Sequence, residues 1–250
     1  MSGHSKWAQI KRSKGAADAK RGQVFTKLGR ELAVAVREGG PNPDMNPRLR
    51  LAMDRARAAN MPVDTIDRAV KRAAGGGEGA TLEQITYEGY GPGGAALFVE
   101  VLTDNRNRAV ADVRNAFSRG GGSLGEAGCV AWLFDQRGVL TVETAGRDPE
   151  EIELSAIDAG ADDVRADGEV VEVYTAPTDL EAVRTALEDN GATVSAAEIA
   201  MIPKTSIELS DKEAGAVLRL MERLEDLDDV QKVSTNLEIS EAALAEYAER

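Results

Sequence analysis

The sequence predicts an α+β protein, with an N-terminal helical domain followed by two ferredoxin-like βαββαβ domains, one inserted in the other. Up to residue 74, hydrophobic residues recur every three to four positions, which is typical of helices. After a glycine linker, short apolar runs of strand length alternate with helical patterns. One complete βαββαβ unit lies between two βαβ halves, and this order predicts the insertion.

The first 77 residues predict three helices behind a basic arm, residues 3–14. The first helix spans residues 18–38 and ends at Gly39-Gly40-Pro41, a C-terminal glycine followed by proline. The second begins at Asn46-Pro47, because asparagine caps a helix and proline suits its first turn, and the third begins near Pro62. The apolar residues expected to form the core of this bundle are Val24, Leu28, Leu32, Ala35, Val36, Leu49, Ala52, Met53, Ala56, Ile66, Ala69, Val70 and Ala73.

The rest of the chain predicts two units of strands and helices, one of which contains the hairpin signal Asp167-Gly168. Strands are expected at 95–102, 130–134, 139–143, 164–166, 170–174, 193–199, 205–209 and 230–239, and helices at 106–118, 149–159, 180–190 and 212–224. The predicted domains are residues 1–77, a discontinuous domain of 78–137 plus 203–240, an inserted domain of 138–202, and a helical tail of 241–250. Three domains that follow one another along the chain are the alternative.

Composition excludes several classes of protein. Among 250 residues there is one His and one Cys, which excludes an internal disulfide and a His/Cys zinc site within one chain. No apolar run approaches the roughly 20 residues that span a bilayer, and no secretory signal opens the chain. We therefore expect a cytoplasmic protein without metal or other cofactor. Because ferredoxin-like sheets often expose one face, a monomer or a weak homodimer is expected.

Charge divides the chain sharply. Residues 1–77 contain 16 of the 30 Lys and Arg but only 7 of the 43 Asp and Glu, a net charge of +9. The remaining 14 basic and 36 acidic residues give a net charge of −22. Lys and Arg favour polyanions, because the phosphates that they neutralise release counterions. A basic module on an acidic chain therefore predicts a nucleic-acid partner, either DNA or structured RNA on the ribosome.

The candidate nucleic-acid contacts lie in the basic arm, on the first helix and at the start of a later helix. They are Lys6, Trp7, Lys11, Arg12, Lys14, Lys20, Arg21, Lys27, Arg30, Arg37, Arg106 and Arg108. Trp7 has two interpretations, since its indole would either stack on a base or fill the core of the bundle. Arg106 and Arg108, together with Arg114 and Arg119, form either a second nucleic-acid contact or the solvated face of a helix. Few aromatic residues interleave the charges, which favours contact with the phosphates of a structured duplex over stacking on single strands.

Two glycine-rich segments carry weaker signals. Residues 89–94 match GxGxxG, but they precede a strand, whereas a dinucleotide site needs these glycines between a strand and a helix. A tight turn is expected there. Residues 120–125 follow a helix and lack the Lys-Ser/Thr pair of a P-loop, so we expect a helix stop, with amide contacts to phosphate as the alternative. No carboxylate pair comes with a nucleophile, base or metal spacing, so no enzymatic activity is expected.

Longer motifs follow one another along nearly the whole chain. They are Gly3-His4-Ser5-Lys6-Trp7, Phe25-Thr26-Lys27-Leu28, Arg37-Glu38-Gly39-Gly40, Asn46-Pro47-Arg48-Leu49-Arg50, Asn60-Met61-Pro62, Tyr87-Glu88-Gly89-Tyr90-Gly91-Pro92-Gly93-Gly94, Leu102-Thr103-Asp104-Asn105-Arg106-Asn107-Arg108 and Asp228-Asp229-Val230-Gln231-Lys232-Val233. In these motifs the chain resembles the YebC/PmpR family. It departs from the family pattern at Val63, usually Lys, and at Cys129, often Ser. The first departure removes one phosphate contact from the third helix.

The resemblance implies a three-domain α+β protein that regulates gene expression without being an enzyme. Bacterial members are described as DNA-binding transcriptional regulators, and mitochondrial relatives as translational activators of cytochrome oxidase. Bacterial members are also linked to ribosomes and to polyproline stalling. We therefore expect a DNA-binding transcriptional regulator, with a ribosome-associated translation factor that binds structured rRNA and relieves stalling as the alternative. The motifs begin at Gly3, which leaves no room for a mitochondrial presequence and agrees with a cytoplasmic bacterial-type protein.

Overall fold

A computed structural model describes Trp7, residues 18–75 and residues 82–248. It confirms the α+β class, with N-terminal helices and two four-stranded antiparallel sheets. The helices are α1 (Asp18–Gly39), α2 (Pro47–Ala58), α3 (Val63–Ala74), α4 (Arg106–Arg119), α5 (Pro149–Asp158), α6 (Leu180–Asp189), α7 (Asp211–Glu225) and α8 (Glu241–Ala248). The strands are β1 (Glu83–Tyr90), β2 (Ala96–Thr103), β3 (Ser123–Leu124), β4 (Phe134–Glu143), β5 (Asp163–Asp167), β6 (Val170–Thr175), β7 (Thr193–Pro203) and β8 (Val230–Thr235).

Helices α1, α2 and α3, which we call the helical domain, pack around a common apolar core. Its buried residues are Leu28, Leu32, Ala35, Val36, Leu49, Ala52, Ala56, Met61 and Ile66. Asn46 connects two of the helices, because its side chain accepts from the Leu49 amide at 3.0 Å and donates to the Ala35 carbonyl at 2.7 Å. Val24 was expected in this core but is exposed. The 22-residue α1 is much longer than the 12-residue α2 and α3, so its first turns extend beyond them.

The sheet formed by β4 to β7 has the strand order β5-β6-β4-β7, as a ferredoxin-like βαββαβ unit requires. Helices α5 and α6 cover one face, with Ile152, Ala156 and Leu187 among the buried residues of that core. Leu51 of α2 joins the same core, so the helical domain packs directly against this unit. Each predicted strand and helix of this region is present, with ends shifted by a few residues.

The other sheet, which we call the first sheet because it contains β1, has the order β3-β1-β2-β8, and the sheet of β4 to β7 is the second sheet. A strand from near the C-terminus thus pairs with strands that precede β4. Its helix layer consists of α4, α7 and α8. Two predictions were wrong here, since residues 130–134 and 205–209 do not form strands of this sheet. The Glu88 carboxylate accepts from the amides of Val130 and Ala131, both at 2.7 Å, and holds that segment as a turn.

The expected strand positions in this sheet are taken by β1, which the sequence prediction missed, and by the two-residue β3. Residue Ile207 makes only an isolated bridge to Leu237. From this strand order we propose the domain division given above, with residues 138–202 inserted between 78–137 and 203–240. The GxGxxG segment lies at the tight turn between β1 and β2, as predicted, where Gly93 has a φ of 66°.

Candidate nucleic-acid interface

The candidate residues fall into three structural groups. Lys6, Lys11, Arg12 and Lys14 lie outside the described residues, and for Lys20 only the backbone, in α1, is described. The others lie at the contact between α1 and the first sheet, or on exposed surfaces near it. The basic arm therefore remains a prediction, while six candidate cations and Trp7 have positions that can be described.

Trp7 is buried, with 2% of its surface exposed. Its ring lies 5.6 Å from that of Tyr247 in an edge-to-face arrangement, and its indole nitrogen donates to a Glu225 carboxylate oxygen at 3.0 Å. Burial, together with a hydrogen bond to Glu222, raises the pKa of Tyr247. Trp7 thus fills a core, but the core of the first sheet and its helices rather than that of the bundle. In this arrangement the indole presents no open face for a base.

One face of α1 contacts the acidic segment, residues 225–229, which joins α7 to β8. The Lys27 ammonium donates to the Glu225 carbonyl, and Gln23 donates to an Asp228 carboxylate oxygen at 2.9 Å. The Arg30 guanidinium donates to the Asp228 carbonyl at 2.8 Å and to the Asp229 carboxylate at 2.7 Å. Positions 23, 27 and 30 follow helical spacing, so a single face makes all of these contacts. Lys27 and Arg30 therefore tie the helical domain to the first sheet.

Asp229 is the centre of this contact. Its buried carboxylate accepts from Arg30, from Arg108 at 2.9 Å and from the Thr103 hydroxyl at 2.8 Å. Burial alone would raise the pKa of Asp229, but the hydrogen bonds from Arg108, Thr103 and Arg30 outweigh burial and hold the pKa below its usual value. Arg108 also pairs with Asp104 at 2.7 Å. Two of the predicted phosphate contacts, Arg30 and Arg108, thus share one internal carboxylate.

The remaining candidates are more exposed. Arg21 and Arg37 lie near the two ends of α1, and both side chains are exposed. Arg106 is exposed at the start of α4, 3.7 Å from the Glu83 carboxylate. Arg114 and Arg119 are exposed further along α4. The structure therefore separates Arg106, which faces solvent, from its neighbour Arg108, which belongs to the Asp229 contact.

Three cations on α3 were missed by the sequence interpretation. Arg68 in the middle of the helix and Lys71 and Arg72 in its last turn are exposed, and among the described residues none forms an ion pair with a carboxylate. The cations of α2 differ, since each pairs with an acid: Arg48 with Glu38, Arg50 with Glu181, Arg55 with Glu31 and Arg57 with Asp54. The spacing of 68, 71 and 72 places three charges on one helical face, and this signal was available in the sequence.

The first turn of α3 carries the opposite charge. Asp64 is exposed in this turn, near the connection of residues 59–62 that joins α2 to α3, and Asp67 is exposed in the next turn. In a helix-turn-helix protein, residues at this end of the second helix donate to base edges. Carboxylates cannot donate and repel phosphates, so α3 does not carry the chemistry of a general major-groove reader.

The glycine segment after α4 uses its amides internally. The Gly120 amide donates to the Ala116 carbonyl at 2.9 Å, the Gly122 amide to Phe117 at 2.9 Å and the Gly125 amide to Glu88 at 2.8 Å. These bonds end the helix and attach β3 to β1. The segment is therefore a helix stop, as predicted, and these amides do not point towards a phosphate.

Two family models match consecutive parts of the chain. Residues 5–76 match the TACO1/YebC protein N-terminal domain, and residues 82–237 match the TACO1/YebC second and third domain. The chain belongs to the TACO1/YebC family. The resemblance found in the sequence motifs is thereby confirmed.

Relatives from several bacteria cover the chain almost completely. A protein of Moorella thermoacetica named "Probable transcriptional regulatory protein" is 56% identical over 247 residues, which is 98% of each chain. A protein of Dehalococcoides mccartyi strain CBDB1 with the same descriptive name is 53% identical over 99% of this chain and 98% of its own. The crystal structure of a conserved hypothetical protein from Aquifex aeolicus superposes with a TM-score of 0.82, at 45% identity, over 90% of this chain and 93% of that chain. This member of the TACO1/YebC family thus shares its fold with a solved structure.

Neither a membrane-spanning helix nor a metal-binding cluster is found in the part of the chain that the structure describes. No helix within it is long and apolar enough to cross a membrane. Within the same residues, no group of three or more His, Cys, Asp and Glu side chains is arranged to hold a metal ion.

Proposed function

We propose that this protein is a regulator of gene expression that binds nucleic acid through the phosphate backbone. The single observation that supports the proposal best is the net charge of +9 on residues 1–77 within a chain of net charge −13. The names of its relatives, probable transcriptional regulatory proteins, agree with such a role. DNA is the first candidate for the bound polymer.

The contact surface consists of the basic arm, the exposed ends of α1, and the middle and last turn of α3. Arg21 and Arg37 supply exposed charge on α1, and Arg68, Lys71 and Arg72 supply it on α3. Lys27, Arg30 and Arg108 contribute to this surface indirectly, by fixing the helical domain against the first sheet. Arg68, Lys71 and Arg72 differ from Arg30 and Arg108 in that none of the three forms an ion pair with a carboxylate among the described residues.

The proposed binding is largely independent of sequence. Sequence-specific binding needs Asn, Gln and Arg donors that are aimed at base edges. Cations that contact only phosphates recognise the charge and shape of the duplex, but not its base sequence. Asp64 in the first turn of α3 and Asp67 in the next turn favour this mode. The same observation makes structured RNA on the ribosome the second candidate, because duplex RNA is recognised by its shape and its phosphates. The translation-factor alternative therefore uses the same surface.

The test is a titration of the purified full chain with a labelled DNA duplex and a labelled RNA hairpin, measured by fluorescence anisotropy at several salt concentrations. About six phosphate contacts predict a slope of log affinity against log salt near −5 on DNA. Lys71→Gln with Arg72→Gln should weaken binding to both polymers. The matched control is Lys212→Gln with Arg223→Gln, which removes two exposed cations from α7. A slope near zero on both polymers would contradict the proposal. To decide between DNA and ribosomal RNA as the bound polymer, co-sedimentation of the protein with ribosomes is compared with its crosslinking to promoter DNA.

A further inference from the structure

The inserted region, residues 138–202, carries an unusual share of the charge. It contains 3 basic and 16 acidic residues, a net charge of −13 that equals the net charge of the whole chain. Two of its three cations already face carboxylates, since Arg165 lies 3.0 Å from Asp163 and Arg184 lies 2.8 Å from Asp54 of α2. A surface of this sign repels nucleic acid and attracts basic partners.

Two large aliphatic side chains are exposed on α5 in this region. Ile152 and Ala156 of this helix face the core of the second sheet and are fully buried. Leu154 is 65% exposed and Ile157 is 52% exposed. Residues three apart on a helix are neighbours, so the two side chains form one apolar patch on the outward face. Isolated surface aliphatics are common, whereas these two are contiguous and have a polar rim, an arrangement that larger interaction patches share.

The residues of α5 next to this patch are mainly acidic, and Glu150, one turn before Leu154, lies between the two aliphatic side chains on the helical wheel. Glu151 and Asp158 lie on one side of Leu154 on the helical wheel, and Glu153 lies beside Ile157 on the other. Helix α5 contains no Lys or Arg, and among the described residues none of its carboxylates forms an ion pair. Glu150 and Glu151 in the first turn suit the helix dipole, but the dipole does not explain the two exposed aliphatic side chains.

The neighbouring helix α6 provides an internal comparison. It packs on the same sheet, yet no large hydrophobic side chain of α6 is exposed. Two of its three carboxylates, Glu181 and Glu188, approach Arg184 at 3.8 and 3.0 Å, and Asp189 forms no ion pair among the described residues. The combination of exposed aliphatic residues with unpaired carboxylates therefore belongs to α5, and overall acidity does not account for it.

We propose that the outward face of α5 docks a basic protein segment that presents aliphatic side chains flanked by Lys and Arg. The apolar pair would be covered by the partner's aliphatic residues, and Glu151, Glu153 and Asp158 would pair with its cations. An amphipathic basic helix has this pattern, with anchors three or four residues apart. A second copy docking through the same face is disfavoured, because two acidic rims would then meet.

The test uses a synthetic amphipathic peptide with leucines along one helical face and lysines along the other, and an isomer of the same composition in scrambled order. The labelled peptides are titrated with the purified full chain. The amphipathic peptide should bind at least about tenfold more tightly than its isomer, because only it can cover the apolar pair. Leu154→Ser with Ile157→Ser should remove about the same tenfold, since interface anchors carry most of the binding energy.

Charge is tested with a matched pair of variants. Glu151→Gln with Asp158→Asn should weaken binding several-fold and flatten its salt dependence. The control, Glu143→Gln with Glu169→Gln, removes the same charge from exposed positions elsewhere in residues 138–202 and should change affinity less than about twofold. Thermal unfolding of each variant checks that the fold is retained.

Three results would overturn the proposal. They are equal binding of the two peptides, unchanged binding after Leu154→Ser with Ile157→Ser, and sedimentation showing that the wild-type chain self-associates through this face. Binding of the DNA duplex should be the same in the wild type and in the α5 variants. The proposal therefore stands or fails separately from the proposed nucleic-acid binding.

Discussion

Helices α1 and α3 both carry a row of cations, but the two rows have different surroundings. Lys27 and Arg30 of α1 contact the acidic segment, and Arg30 shares the buried Asp229 with Arg108. Lys71 and Arg72 of α3 face solvent, and no ion pair joins them to a carboxylate among the described residues. The difference shows that net charge locates a basic region but does not distinguish cations that join domains from cations that face solvent.

The same contrast holds for carboxylates. Asp229 is buried and accepts from three side chains, whereas Glu151 and Asp158 on α5 are exposed and form no ion pair among the described residues. The internal contacts contribute to stability, and the exposed groups are available for partners. Substitutions in the two classes should therefore affect different measurements.

Trp7 is the deepest connection between the basic arm and the first sheet, and its removal should have the largest effect. Trp7→Ala should lower the free energy of unfolding by about 3–4 kcal/mol, because it leaves a large cavity beside Tyr247. Urea unfolding followed by circular dichroism measures this change. The control is Trp132→Ala, whose side chain is 65% exposed and whose loss should cost about 0.5 kcal/mol or less. Equal costs for the two substitutions would contradict the burial of Trp7.

Asp229→Asn tests the contact between α1 and the first sheet. It should cost about 2 kcal/mol, since the amide removes the charge that Arg30 and Arg108 share inside the structure. Asp228→Asn is the matched control on the exposed side of the same segment and should cost less than about 1 kcal/mol.

The stabilisation from Asp229 should also depend on pH. Its folded-state pKa is lowered, so its contribution is complete above the unfolded-state pKa of about 4 and is lost as the pH falls through the folded-state value. The difference in unfolding free energy between wild type and Asp229→Asn should therefore shrink below about pH 4. A difference that stays constant down to the acid-unfolding limit would exclude this ionic contact.

The smallest expected effect separates α3 from α1. Lys71→Gln with Arg72→Gln should reduce duplex affinity by about tenfold and the salt slope by about 2, with little change in stability. Arg30→Gln should do the reverse, lowering the unfolding free energy while leaving the salt slope nearly unchanged, because its guanidinium already contacts Asp229. Anisotropy titrations paired with urea unfolding measure both quantities. If Arg30→Gln reduces the salt slope as much as the substitution of one α3 cation does, the distinction between the cations of α1 and those of α3 is wrong.

Local signals predicted much of the fold. The cap at Asn46, the proline at the start of α2 and the hairpin at Asp167-Gly168 depend on residues close together in sequence, and the structure contains all three features. Strand β1 was missed because it takes its place only through pairing with β2 and β3.

The site was harder to predict than the fold. The contact between Arg30 and Asp229 joins residues that are 199 positions apart, and no local sequence pattern predicts it. The sequence therefore located the basic region, but it did not distinguish the cations bound to the acidic segment from those on α3. Pairing between residues so far apart depends on how the domains pack, and amino-acid composition does not indicate domain packing.

The most direct test of the central claim is the salt dependence of duplex binding by the full chain and by a variant with Lys6, Lys11, Arg12 and Lys14 changed to Gln. The slope of log affinity against log salt should be near −5 for the wild type. In the variant its magnitude should fall by about four, because each lost phosphate contact removes roughly one released counterion. Equal slopes and equal affinities for the two proteins would contradict the claim that the basic arm binds a phosphate backbone.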